Sequence, residues 1–154
     1  MRASRKYPVW VSVLFVSTLL AITLLATVAN AADDKPFAEQ RVVLQISDND
    51  PSKQTLVLNV ASNLIKHYGP DKVDVEIVAF GPGLRLMFAD NVNAGRIKGL
   101  DGSGVRFAAC SNTHAKMTKL LGQSPKLGPH AVMVDAGVVR IVDLVKDGYT
   151  LVKP

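Results

Sequence analysis

From Arg41 onward, short apolar runs of the length of strands alternate with longer stretches of helical periodicity. These mainly apolar runs occupy residues 42–46, 73–80, 105–109, 130–134 and 150–152, and the run at 73–80 alternates with Asp74 and Glu76 before it becomes fully apolar. A run that is apolar throughout is typical of a strand covered on both faces, as in parallel sheets. Strands that alternate with helices join most simply as parallel neighbours. The pattern therefore predicts an α/β domain, a three-layer α/β/α arrangement around a five-stranded, mostly parallel sheet.

Residues between the runs mark where helices begin and end. Asp50 followed by Pro51 predicts a helix start, because aspartate caps free backbone N–H groups and proline fits the first turn. Gly69 and Pro70 predict the end of that helix. Further helical segments are predicted at residues 84–89, 93–100, 111–121 and 138–146, with a proline-rich loop at 123–129.

Residues 1–31 have the pattern of an export signal, with a basic start, an uncharged apolar run at 9–29 and small residues before the cleavage position after Ala31. The apolar run is also close to the roughly 20 residues that span a bilayer. A cleaved signal and a retained inner-membrane anchor both remain open. In either case we expect residues 32–154 in the periplasm, with 32–40 as a flexible leader and 41–154 as one domain.

The charge of the exported part is small. The chain carries 18 Lys and Arg against 13 Asp and Glu, and the signal holds Arg2, Arg5 and Lys6, which leaves 15 minus 13, or +2. No basic stripe interleaved with aromatic residues remains, so the sequence does not favour nucleic-acid binding. Membrane contact is predicted only through the N-terminal segment.

Cys110, the single cysteine of the chain, lies between the predicted strand 105–109 and a helix start at residues 111–113. Without a second cysteine it forms no internal disulfide, so any redox or sulfur chemistry must involve another molecule. A helix N-terminus favours the thiolate. Ligand sites of parallel sheets lie at the carboxyl ends of the strands, where Cys110 stands. A small buried residue that only fills space is the alternative.

The three histidines, His67, His114 and His130, show no metal-ligand spacing with one another or with Cys110. We predict no metal and no cofactor. A metal-binding exported protein stays an alternative that needs Cys110 and His130 close together. His114, four residues after Cys110, is a candidate for a Cys-His pair.

Two further motifs have both a structural and a functional interpretation. Asp48 and Asp50 would suit a magnesium ion or acid/base chemistry, but helix capping is the favoured interpretation. The Gly81-Pro82-Gly83 turn would let a ligand approach the backbone, yet it lacks the glycine patterns of nucleotide-binding loops.

Three segments of the chain resemble the DsrE/DsrF-like family, in particular its small exported single-cysteine branch. They are residues 45–51 (QISDNDP), 75–84 (VEIVAFGPGL) and 104–113 (GVRFAACSNT). The resemblance implies a three-layer domain of flavodoxin-like architecture that assembles into homo-oligomers, trimers or hexamers. It also implies that a cysteine at the place of Cys110 carries sulfur as a persulfide.

The resemblance leads to the expectation of a periplasmic sulfur carrier whose Cys110 thiolate accepts sulfur. Asn112 and Thr113 would orient the sulfur, and His130 with the loop 123–129 would cover the site. The partner would be a sulfur donor or acceptor protein or a small sulfur compound. A carrier need not turn over, so enzyme status stays open. The alternative is a non-catalytic, oligomeric binding module in which Cys110 is a packing residue.

Overall fold

The computed structural model describes residues 35–154, so the predicted signal at 1–31 and the first leader residues lie outside it. The described residues form alternating strands and helices, as the sequence predicted. In chain order they are β1 (Gln40–Ile46), α1 (Pro51–Tyr68), β2 (Val73–Ala79), a 3₁₀ helix (Gly81–Met87), α2 (Ala94–Asp101), β3 (Val105–Cys110), α3 (Ser111–Leu121), β4 (Ala131–Val134), α4 (Gly137–Lys146) and β5 (Thr150–Val152).

The five strands pair in the order β4-β3-β2-β1-β5, and every pairing is parallel. This confirms the predicted α/β fold. The chain steps across the sheet in one direction from β1 to β4 and then returns past β1 to β5. Because crossovers between parallel strands are right-handed, the reversal puts α4 on the opposite face from the earlier helices.

Alternate residues of the strands supply an apolar layer to each face. In β1, Leu44 and Ile46 belong to the larger core with Val57 and Leu58 of α1, whereas Val43 faces the other way. The core on the α4 side consists of Val43, Val78, Ala108, Ile141, Leu144 and Tyr149. Helices cover both faces of the sheet. In the smaller core, the helical residues all come from α4.

Strand β2 carries two carboxylates, Asp74 and Glu76, that are buried on the α4 side. Arg106 of β3 donates to Glu76 at 3.0 Å and to Asp74 at 3.1 Å. Arg140 of α4 donates to both Glu76 oxygens at 2.7 Å, and Tyr149 donates to Asp74. Buried charges are tolerated when they are paired and hydrogen-bonded. The cluster holds α4 to the middle of the sheet.

The folded domain begins inside the predicted leader 32–40. The ammonium group of Lys35 donates to the carbonyl oxygens of Pro70 at 2.7 Å and Val73 at 3.1 Å. The N–H of Glu39 donates to the carbonyl of Lys72 at 2.8 Å, and β1 already starts at Gln40. The described part of the leader is thus attached to the start of β2. Within residues 35–154, no helix combines the length and the apolar character needed to cross a membrane.

Candidate functional site

Cys110 ends β3 and is also the residue immediately before α3, with extended backbone angles. Its register partner is Val134, the last residue of β4, and α4 begins three residues later at Gly137. The N-termini of α3 and α4 therefore lie at neighbouring strand ends. The N–H of Asn112 donates to the carbonyl of Asp135 at 3.3 Å and links the two.

Groups at both helix N-termini favour the ionised form of the Cys110 thiol. Burial disfavours its thiolate, but the hydroxyl of Thr113 and the N–H groups of Gly137, Thr113 and Asn112 outweigh that effect and lower the pKa of Cys110 below its ordinary value of 9.0. Donors aimed at sulfur stabilise the charged form, and so do the positive ends of helix dipoles. The environment is that of a thiol prepared for ionisation.

The hydroxyl of Thr113 is held in a fixed direction by a second hydrogen bond. The backbone N–H of Gly81, just after β2, donates to Thr113 Oγ1 at 3.0 Å. A hydroxyl has a single proton, so a hydroxyl that accepts from Gly81 is free to donate that proton to Cys110. The ends of β2, β3 and β4 all contribute to this one sulfur.

Gly137 allows the start of α4 to reach the sulfur. A Cβ at this position would stand 3.0 Å from Cβ of Phe80 and 3.3 Å from Cβ of Cys110. Any larger residue would push the helix away from the strand ends. The sequence places Gly137 at one of the strand ends where a ligand site is expected, but it predicts no contact between Gly137 and Cys110. The available signal was a glycine at the carboxyl end of a predicted strand, where a close backbone approach is one of glycine's uses.

The predicted supporting residues Thr113 and Asn112 contribute different groups to the surroundings of the sulfur. Thr113 contributes both its hydroxyl and its N–H, whereas Asn112 is an exposed residue that contributes through its backbone N–H. Cys110 itself is only 5% exposed. The sulfur thus lies just below the surface, with backbone groups as its main neighbours.

His130 is not part of this arrangement, contrary to expectation. It precedes β4, whose register pairs Ala131 with Phe107 and Val134 with Cys110. Four residues of strand separate His130 from the level of Cys110, about 13 Å at the usual rise. Its Nδ1 instead lies 2.8 Å from Oδ2 of Asp101. The parallel register carries His130 to the opposite end of the sheet, so it cannot cover the sulfur.

The other two histidines, His114 and His67, make contacts that do not involve Cys110. His114 Nε2 is 2.9 Å from the carbonyl oxygen of Pro125, a contact that joins α3 to the loop 123–129. His67, near the end of α1, packs edge-on against the ring of Tyr68. Across residues 35–154, no three side chains of the metal-binding types gather in one place.

The two aspartates before α1 are engaged in local structure. Asp50 accepts a hydrogen bond from the N–H of Ser52 at 2.7 Å, which caps the helix, and Asp48 pairs with Lys53 at 3.1 Å. The capping bonds also lower the pKa of Asp50. The capping interpretation is the one that the contacts support.

The Gly81-Pro82-Gly83 turn approaches the chain's own backbone. A Cβ on Gly83 would lie 2.5 Å from the carbonyl oxygen of Ile46 and 2.8 Å from Cα of Ser47. Gly83 is therefore needed where the 3₁₀ helix crosses the end of β1. The space in which a ligand would approach this glycine is filled by β1 itself.

The chain has similar proteins among the solved structures. No protein-family model and no curated protein matches the chain. Among solved structures, the chain is similar to MTH1491 from Methanobacterium thermoautotrophicum, described as a protein of unknown function. The identity is 31%, the match covers 75% of this chain and 100% of MTH1491, and the TM-score is 0.67. The chain therefore belongs to the same family as MTH1491.

Proposed function

We propose that this member of the MTH1491 family is a sulfur carrier that uses the Cys110 thiolate. The observation that carries the proposal is the close approach of Gly137 to Cys110, together with the Thr113 hydroxyl and the Gly137 N–H that lower the pKa of the thiol. A space-filling cysteine needs no such set of donors, whereas a reactive one requires a stabilised thiolate. The resemblance to DsrE/DsrF-like sulfur carriers supports the same chemistry.

The proposed reaction conserves electrons. Cys110 loses its proton to solvent, and the thiolate attacks a terminal sulfur of an inorganic polysulfide. A new S–S bond forms on Cys110, the neighbouring S–S bond of the donor breaks, and the shortened polysulfide leaves with that electron pair. An acceptor thiolate then attacks the outer sulfur of the persulfide and releases the Cys110 thiolate. The donors around the sulfur stabilise the anion before and after each transfer.

The small exposure of Cys110 favours a small donor. With 5% of the residue accessible, a protein-bound persulfide would need the strand-end loops to open before the two sulfurs could meet. A short polysulfide anion needs less space, and two helix N-termini favour its negative charge. We therefore assign an inorganic polysulfide as the donor.

Intact-mass measurement tests the proposal. After brief exposure to polysulfide and removal of excess reagent, the protein should gain the mass of one sulfur atom and lose it on treatment with dithiothreitol. Cys110→Ser should gain nothing. A protein that gains no sulfur, or a gain that persists in Cys110→Ser, would contradict the proposal.

The low exposure of Cys110 also favours a second candidate, a non-catalytic binding module in which the cysteine fills space. Thiol labelling of the native protein separates the two. Slow labelling with a pKa that is not lowered from the value of a free cysteine would favour the binding module. Fast labelling with a lowered pKa would favour the carrier.

Homo-oligomerisation is part of the proposal. Val138, Val142 and Val145 recur along one side of α4 with exposures of 58%, 47% and 45%. The edge strand β4 exposes Val132 by 66%. Apolar surface of this kind is typical of subunit contacts. Light scattering after gel filtration should give a trimer or hexamer, and Val142→Lys should shift it towards monomer. A monomeric wild type would contradict this part.

We further propose that the protein works in the periplasm. The support is the export pattern of residues 1–31. Fractionation of a bacterial host should recover the protein outside the cytoplasm, and N-terminal sequencing should begin at Ala32 if the signal is cleaved. A retained N-terminus in the membrane fraction would indicate an anchor instead, and cytoplasmic recovery would contradict the proposal.

A further inference from the structure

A small cavity lies at the end of the sheet opposite Cys110, between the 3₁₀ helix, α2 and the start of β4. Its volume is about 40 Å³, and its walls include Met87, Phe88, Ile97, Pro129 and His130. A volume of this size holds about three water molecules; a whole benzene ring occupies a cavity of about 150 Å³, so only one end of a small organic molecule fits inside. Apart from His130, these wall residues present apolar side chains.

Backbone contacts build the wall of this cavity independently of any ligand. The N–H of Gly128 donates to the carbonyl of Met87 at 2.8 Å, and the N–H of Ala89 donates to the carbonyl of Lys126 at 2.9 Å. Between them, Phe88 and Leu127 form an antiparallel bridge. The loop before β4 is thus fastened to the end of the 3₁₀ helix, and the cavity is preformed.

His130 supplies the polar group of the cavity, and Asp101 determines which of its ring nitrogens carries the proton. Asp101 Oδ2 lies 2.8 Å from Nδ1, and an ionised carboxylate only accepts hydrogen bonds, so Nδ1 carries the proton. In the neutral ring this leaves Nε2 with a lone pair. The contacts within residues 35–154 give Nε2 no partner. The side chains of His130 and Asp101 are 25% and 41% exposed, so the pair contributes little stability. Its main effect is to orient the ring.

We propose that this cavity takes the hydroxyl-bearing end of a small neutral molecule with an apolar body, and that the hydroxyl donates to Nε2 of His130. The apolar wall residues suit the apolar part of the bound molecule, and the lone pair of Nε2 accepts the hydrogen bond from its hydroxyl group. An anion would lie near the Asp101 carboxylate, and the residues that line the cavity include no lysine or arginine. A purely apolar molecule would leave Nε2 desolvated without a partner. This site is separate from Cys110 and does not depend on the sulfur chemistry.

Phenol and toluene test the proposal, because they have nearly the same shape and differ in the hydroxyl. In titrations of the ¹⁵N-labelled protein, phenol should cause saturable amide shifts at Ala89, Gly128 and Ala131. Toluene should bind about tenfold more weakly, the usual loss for one hydrogen bond to a desolvated group. Cys110→Ser should bind phenol like the wild type.

Two substitutions make the test specific. Ala94→Leu fills the cavity from an exposed helical position and should abolish the phenol shifts without a loss of melting temperature. Asp101→Asn offers a donor to Nδ1, moves the ring proton to Nε2, and should reverse the preference from phenol towards anisole, which accepts but does not donate. Equal binding of phenol and toluene, unchanged binding in Ala94→Leu, or shifts centred away from the cavity would each overturn the proposal.

Discussion

The start of α4 at Gly137 approaches Cys110 across the gap between the ends of two neighbouring strands, so closely that a Cβ on Gly137 would stand 3.3 Å from Cβ of Cys110. The two residues are 27 positions apart in sequence by subtraction of their numbers, and they meet because β3 and β4 pair in parallel with Cys110 opposite Val134. Each residue stands at the N-terminus of a helix, so two helix dipoles act on one thiol. This relationship distinguishes Cys110 from a cysteine that merely ends a strand.

Replacing Thr113 by valine should raise the pKa of Cys110, because valine keeps the shape but removes the hydroxyl that donates to the sulfur. The alkylation rate with iodoacetamide, followed by mass spectrometry across pH, should shift its midpoint upward. Thr113→Ser keeps the hydroxyl and is the matched control. An unchanged midpoint in Thr113→Val would show that the hydroxyl does not act on the sulfur.

Gly137→Ala should both destabilise the fold and raise the pKa of Cys110. The added Cβ would crowd Phe80 at 3.0 Å and displace the start of α4. We expect a loss of about 1–3 kcal/mol in the free energy of unfolding, as for other overpacked sites. Gly99→Ala in α2 meets nothing within 4 Å and should be neutral or stabilising. Equal effects of the two alanines in urea unfolding would contradict the close approach at Gly137.

The lowered pKa of Cys110 predicts a pH dependence of stability. The folded state releases the thiol proton at lower pH than the unfolded state, whose pKa is near 9.0, so the thiolate contributes stability above 9.0. That contribution is lost as pH falls through the pKa of the folded state. Relative to Cys110→Ser, the wild type should gain stability as pH rises through this window. If the urea midpoints of the wild type and Cys110→Ser change in parallel across this pH range, the pKa of Cys110 is not lowered.

Tyr149 should have the opposite pH effect. Burial and its hydrogen bond to Asp74 raise the pKa of Tyr149 above 10.0, so the folded state keeps the proton longer than the unfolded state. Stability should therefore fall as pH rises past 10.0. Tyr149→Phe should lose about 1–3 kcal/mol at neutral pH, because Asp74 loses a buried partner. Its further loss above pH 10.0 should be shallower than in the wild type. Identical slopes in melting experiments would contradict this assignment.

The sequence predicted the fold well because its signals are local. Apolar runs, the Asp50-Pro51 helix start and the glycine after α1 placed the strands and helices to within a few residues. The least accurate segment is 84–89, which forms a 3₁₀ helix from Gly81 to Met87. Its early start depends on Gly83 fitting against Ile46, a contact between distant residues that no local pattern reveals.

The site was predicted in part. Cys110 and Thr113 could be identified because a strand end and a helix start adjoin in the sequence itself. Gly137 and the true position of His130 could not, because both depend on the register of β4 against β3. That register decides which strand end faces the sulfur, and it carries His130 to the opposite end of the sheet.

The βα alternation, the single thiol and its place at a strand-to-helix junction follow from local periodicity and composition. The surroundings of that thiol follow from the tertiary fold. The close approach of Gly137 to Cys110 and the hydrogen bond from Gly81 to Thr113 join segments far apart along the chain. They form only once parallel pairing brings three strand ends to the same edge of the sheet.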